Sequence, residues 1–290
     1  MVLDGLQTYI ETKLDHCINK NVDLRTVQSE NEAVDITSSK KALQIFVVHA
    51  DSCRKYVYPI STDWVCGGQW NEMLNNLEKF VRNFRQSNSE LVVFFDGSMS
   101  STRIHEWKSR QANQRETVKQ LMSKVVSYRA SPSRNLAVIP ACFNTALRLA
   151  LKSCNVIVCS SLSQVHSDIT NYYRAQKCSG IIAHSSHYLL QGISNCFSPD
   201  HLKIGRYNVR SSCIDFEAVM KELGLTEEAL PVFASLIGSV LIPEEYLATF
   251  HWTFLAPDHP LRQVEVNLIS SNPLDCSVCL LTMNSIPCLC

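Results

Sequence analysis

Short runs that are apolar on both faces alternate along this chain with stretches of helical periodicity, and that alternation restricts the fold more than any other feature. Residues 44–48 (QIFVV) and 91–95 (LVVFF) are the clearest runs. A strand with no polar face has to be covered on both sides, which is the situation of parallel strands under crossover helices. Between the two runs, Trp70, Met73, Leu74, Leu77, Phe80, Val81 and Phe84 recur at helical spacing after a loop. A polar and basic helical stretch at 105–130 ends at Ser131-Pro132. A run at Leu136–Ile139, a helix near 143–152, a run at Val156–Cys159, a helix near 164–176 and a run at Ile181–Ala183 continue the series. The expected fold class is α/β, a mainly parallel sheet covered by helices over residues 1–210.

From about residue 213 the pattern turns to helices alone. Phe216, Val219, Met220 and Leu223 share a face, Gly224 supplies a C-terminal stop, and Thr226 opens the next helix. A helical hairpin packed on the α/β domain is therefore expected within 211–256, followed by a poorly ordered tail at 257–290. The polar segment 26–41 reads as a flexible excursion before the first strand. In the tail, Cys276, Cys279, Cys288 and Cys290 form a CxxC followed by a CxC. The gap between the pairs is short and apolar for a zinc knuckle, so the tail reads as loose chain.

With 27 basic and 27 acidic side chains there is no whole-molecule field to draw in nucleic acid, and such binding would need a local basic face. Asp4 and Glu11 stand where an export signal would be basic and then apolar, and nowhere do about 18 apolar residues run together. The expectation is an intracellular protein, in nucleus or cytoplasm, making no membrane contact. In that setting the 13 cysteines act as reduced, small hydrophobes.

Ligands of an open parallel sheet bind beyond the carboxyl ends of its strands. The residues just past the apolar runs are His49, Asp96, Ser160 and His184. Asp96, in Phe95-Asp96-Gly97, is a carboxylate able to hold Mg²⁺, but one aspartate is not a site, and it equally serves as a turn residue before glycine.

The opening Gly5-Leu6-Gln7, the stretch Trp64-Val65-Cys66-Gly67-Gly68-Gln69-Trp70, the turn Phe94-Phe95-Asp96-Gly97 and Leu223-Gly224-Leu225 resemble the constitutive coactivator of PPAR-gamma family. That family is similar in turn to flap endonucleases and asteroid proteins, and the resemblance spans about residues 1–256. It implies a PIN-like, flap-endonuclease-like fold, XPG-like in its parts, and a coactivator or scaffold role through protein partners. Relatives carry a long C-terminal region, associated in one branch with RNA binding; this chain reads as a short form without it, so that activity is not carried over.

The same resemblance implies a metal-binding cluster of acids at positions that this chain mostly fills otherwise. The first-strand aspartate falls at His49 and the second is kept as Asp96. Paired glutamates at a helix start fall at Gln164 and His166, with Asp168 close by; two further aspartates fall at Ser185 and His187, and the last at Val240. The glycine after Met1 falls at Val2. Two-metal hydrolysis needs ions about 3.5–4 Å apart held by several carboxylates. A vestigial site of His49, Asp96, Gln164, His166, Asp168, Ser185, His187 and Val240 lacks them, so no catalytic residue and no cofactor are expected.

The alternative is a rebuilt site in which His49, Asp96, His166, His184 and His187 converge on zinc or another divalent transition metal, ions that suit imidazole with carboxylate. Lys108, Arg110, Arg115 and Lys119 lie where flap endonucleases place a basic arch over DNA, with Lys108, Arg115 and Lys119 on one helical face. Weak, salt-sensitive nucleic-acid binding would come from there, against the alternative of a solvated charged face interleaved with Glu106 and Glu116. Three classes follow: a non-catalytic interaction module, a nucleic-acid-binding pseudonuclease, and a nuclease with an unusual ligand set.

Overall fold

The computed structural model describes residues 10–27, 43–59, 61–62, 68–97, 104–128, 139–162, 164–184, 186–205, 208–226, 228–237 and 247. In chain order the described strands are β1 (Ile18–Asp23), β2 (Gln44–His49), β3 (Ser89–Phe95), β4 (Ile157–Ser160), β5 (Gly180–Ile182), β6 (Cys196–Phe197), β7 (Lys203–Ile204) and β8 (Val209–Ile214). The helices are α1 (Ala50–Val57), α2 (Trp70–Gln86), α3 (Ile104–Tyr128), α4 (Phe143–Ser153), α5 (Val165–Ala175), α6 (Ser186–Leu190), α7 (Phe216–Leu223) and α8 (Leu230–Ile237).

The chain divides into two compact units. The larger takes Asp23–Ala183 and Pro199–Ser211, the smaller Met1–Val22, His184–Ser198 and Ser212–Cys290. The division expected from the sequence, at 210 and 256, follows chain order, whereas these units interleave along the chain.

In the larger unit the order β5-β2-β3-β4 holds four parallel strands; β4, last in the order, is less covered than the sequence reading expects, with Ile157 57% exposed. β2 runs parallel to β3, with Gln44 opposite Ser89 and His49 opposite Phe94. β5 and β4 continue the parallel pairing on either side. Phe46, Val48 and Val93 are fully buried, as strands apolar on both faces require. α2 buries Met73, Leu77, Phe80, Val81 and Phe84, the stripe its periodicity predicts.

Three differences from the sequence reading are instructive. Residues 50–57, read as loop, form α1, whose Ala50, Cys53 and Val57 face inward while Asp51, Arg54 and Lys55 mask the periodicity. The short strands β1, β6, β7 and β8 were not marked by apolar runs; β8 (VRSSCI) is built largely from polar and small residues, and its pairing with β6 and β7 is antiparallel. Of the run expected at Leu136–Ile139, residues 136–138 lie outside the described residues and Ile139 is in no strand.

The smaller unit has its own core, in which Ile10, Leu14, Cys17 and Leu189 meet Phe216, Val219, Met220 and Phe233. The Asp215 side chain accepts from the Ala218 N–H at 3.0 Å and caps α7, which ends at Gly224 in the left-handed region (φ 62°). α7 and α8 supply the two helices expected after 213, and residues 238–256 apart from 247 lie outside the described residues, as do 257–290. Asp215→Ala is expected to cost about 1 kcal/mol by orphaning that N–H. Urea unfolding checks it, and an unchanged midpoint would show that the cap adds nothing to stability. Among the described residues no helix is long and apolar enough to cross a membrane.

Candidate functional site

Because β2, β3 and β4 are parallel and in register, their carboxyl ends lie side by side. His49 closes β2 and stands at the N-cap of α1, its side chain 12% exposed. Asp96 follows β3, its side chain 67% exposed, with Oδ1 3.6 Å from His49 Nε2. The pair is ionic only when the imidazole is protonated.

The turn after β3 is held from two sides. The Ser161 N–H donates to the Phe95 carbonyl at 3.0 Å, and the Arg148 guanidinium donates to the Asp96 carbonyl at 3.2 Å while lying 4.6 Å over the Phe95 ring. Gly97 packs against Ser161 so closely that a Cβ would run into its carbonyl oxygen.

α5 begins beside this turn. Gln164 is its N-cap residue, with no capping bond from its side chain, and the first turn presents His166 and Asp168. The His166 ring lies 5.7 Å from that of His49. Asp168 accepts a hydrogen bond from the Ser161 hydroxyl at 2.5 Å.

Asp51, in the first turn of α1, completes the group: one donor atom from each of His49, Asp51 and Asp96 falls within 4.8 Å of the others. Sequence reading passed over Asp51, although its place two residues beyond His49 was a usable signal. Cys53 sits nearby but is fully buried, and burial pushes its thiol up to about 12, so it stays protonated. Asp51 and Arg54 also line a cleft of about 660 Å³ whose other walls include Gln111, Arg115 and Phe143.

His184 and His187 belong to the smaller unit, where His187 contacts Gln191 at 2.9 Å and burial pushes its imidazole down toward the neutral form. Ser185 and Val240 lie outside the described residues. Lys108, Arg110, Arg115 and Lys119 are all exposed on α3, with Glu116 exposed among them.

A FAM120A-like domain matches residues 223–277. The constitutive coactivator of PPAR-gamma-like protein 1 of Homo sapiens is 34% identical over 272 residues, 92% of this chain and 24% of the relative. The Bos taurus protein of that name is 37% identical over 76% of this chain and 20% of its own length. The chain is a homologue of these coactivator-named proteins. It spans about a quarter of the human relative's length. Among solved structures, the catalytic core of Rad2 in complex with DNA substrate matches with a TM-score of 0.50 at 14% identity, over 92% of this chain and 69% of that one. The fold is flap-endonuclease-like and PIN-like.

That fold family implies a bound pair of divalent ions, and the residues present do not fit it. Position 49 offers a nitrogen, Gln164 a neutral amide and His166 a second nitrogen, and Asp168 already accepts the Ser161 hydroxyl. Mg²⁺ demands octahedral oxygen ligands and dehydrates reluctantly, and two such ions need bridging carboxylates. Asp96 and Asp51 are the carboxylates grouped with His49 among the described residues.

Proposed function

We propose that the chain is a non-catalytic, flap-endonuclease-like scaffold or coregulator that acts through protein partners inside the cell, in nucleus or cytoplasm. The observation that carries this is the donor set at the strand ends, where imidazole and amide stand at positions a two-metal nuclease fills with carboxylate. The names of the coactivator relatives support the same direction. So does α3, where Ile104, Trp107, Met122 and Val126 are exposed large apolar side chains. At helical spacing they share an arc of about 100°. Lys108 and Arg115 fall within the same arc, so the helix offers a partner two small apolar patches, one near each end, with basic side chains between them.

A second reading, weak nucleic-acid binding without cleavage, is favoured by Lys108, Arg110, Arg115 and Lys119 being exposed on that same helix. Four phosphate contacts would lower single-strand affinity roughly 50-fold between about 50 and 200 mM salt. One experiment tests both. The purified chain is mixed with flap, single-stranded and duplex DNA, with Mg²⁺ or Mn²⁺, at the two salt concentrations. No cleavage is expected in any mixture. Cleavage that disappears in Asp96→Ala would overturn the non-catalytic reading, and salt-independent binding would dismiss the second.

A further inference from the structure

We infer that His49, Asp51 and Asp96 form a binding site for a single late first-row divalent cation, with zinc as the expected occupant and no hydrolytic step attached. Asp51 is the new element, since neither the residues past the strand ends nor the nuclease-like pattern marks it. The three donor atoms already lie within 4.8 Å of one another. Bonds of about 2.0–2.1 Å in tetrahedral geometry bring donors to roughly 3.3 Å apart, so donor pairs have to close by up to about 1.5 Å. The parts that must move are those able to: the Asp51 and Asp96 side chains are 50% and 67% exposed. The part that must stay put is fixed, because His49 is mostly buried at the end of β2 and β2 is hydrogen-bonded to β3 along its whole length.

The donor chemistry selects the ion. One imidazole with two carboxylates disfavours Mg²⁺, which seeks oxygen throughout, and favours ions late in the divalent series. Two carboxylates and a neutral imidazole balance a doubly charged ion. His166, 5.7 Å from His49 ring to ring on a separate helix, is a further imidazole beside the triad, and it or water fills the fourth position. The Arg54 guanidinium, 4.0 Å from Asp51, is the competing cation. The inference stands apart from the proposed scaffold role: an ion held here can order the ends of β2 and β3 whether or not DNA is cut.

The test uses the full chain, stripped with EDTA and titrated with Co²⁺ and then Zn²⁺. Cobalt reports its donors, because thiolate ligation by any of the 13 cysteines adds a strong near-ultraviolet band that nitrogen and oxygen ligation lack. One equivalent with nitrogen and oxygen character is expected, displaced by Zn²⁺ and not by millimolar Mg²⁺. Asp51→Asn and Asp96→Asn, which keep side-chain shape, should each weaken that equivalent at least tenfold, and His49→Ala should abolish it, with far-ultraviolet circular dichroism unchanged. A thiolate-only spectrum, or equal affinity in Asp51→Asn, overturns the proposal. Absence of DNA cleavage leaves these outcomes unaffected, whereas cleavage with Mg²⁺ would overturn the scaffold reading and the absence of a hydrolytic step, with the cobalt titration still deciding whether the triad holds an ion.

Discussion

Gly97→Ala is expected to lower the thermal midpoint by roughly 6–12 °C, the equivalent of about 3 kcal/mol for a unit of this size. The added Cβ would meet the Ser161 carbonyl oxygen, with the carbonyl carbon 2.7 Å away. Both atoms are backbone, so no rotamer change relieves the contact. Nor can the segments easily part, because the Ser161 N–H donates to the Phe95 carbonyl one turn of chain away. Relief would have to come from breaking that bond or shifting the start of α5, which would carry His166 and Asp168 away from His49 and Asp96. Differential scanning calorimetry measures the effect. A midpoint within a degree of the unaltered chain would mean that the turn is looser than its packing indicates.

Phe84→Ala is expected to cost about 3–5 kcal/mol, the range for removing a fully buried phenylalanine. The ring is completely buried and packs against Phe80 at 5.1 Å and Phe46 at 6.2 Å between centroids. Phe46 lies on β2, three residues before His49, so the cavity would open beneath the strand that positions the cluster. In urea the midpoint should fall while the slope stays unchanged, since the surface exposed on unfolding is nearly the same. A loss below about 1 kcal/mol would show that the core closes around the vacancy.

The parallel sheet was legible because its strands are apolar on both faces, a pattern that a one-sided sheet does not produce. β2, β3 and α2 came out within two residues of their sequence-predicted limits for that reason. α1 was not legible, since its buried residues are Ala50, Ser52, Cys53 and Val57, small or weakly apolar side chains in a charged segment. β8 was not either, because antiparallel pairing needs no continuous apolar run.

At the site, the sequence alone determined which residues stand just past the apolar runs, His49, Asp96, Ser160 and His184. Covalent order is enough for that statement. What only the tertiary structure decided is which of those residues meet. It gathered His49, Asp96 and His166 from three elements, added Asp51 from the first turn of α1, and bound Asp168 to Ser161. Distances between side chains depend on strand register and on where each helix starts. Both are set by packing among residues far apart in the chain, which no local pattern records.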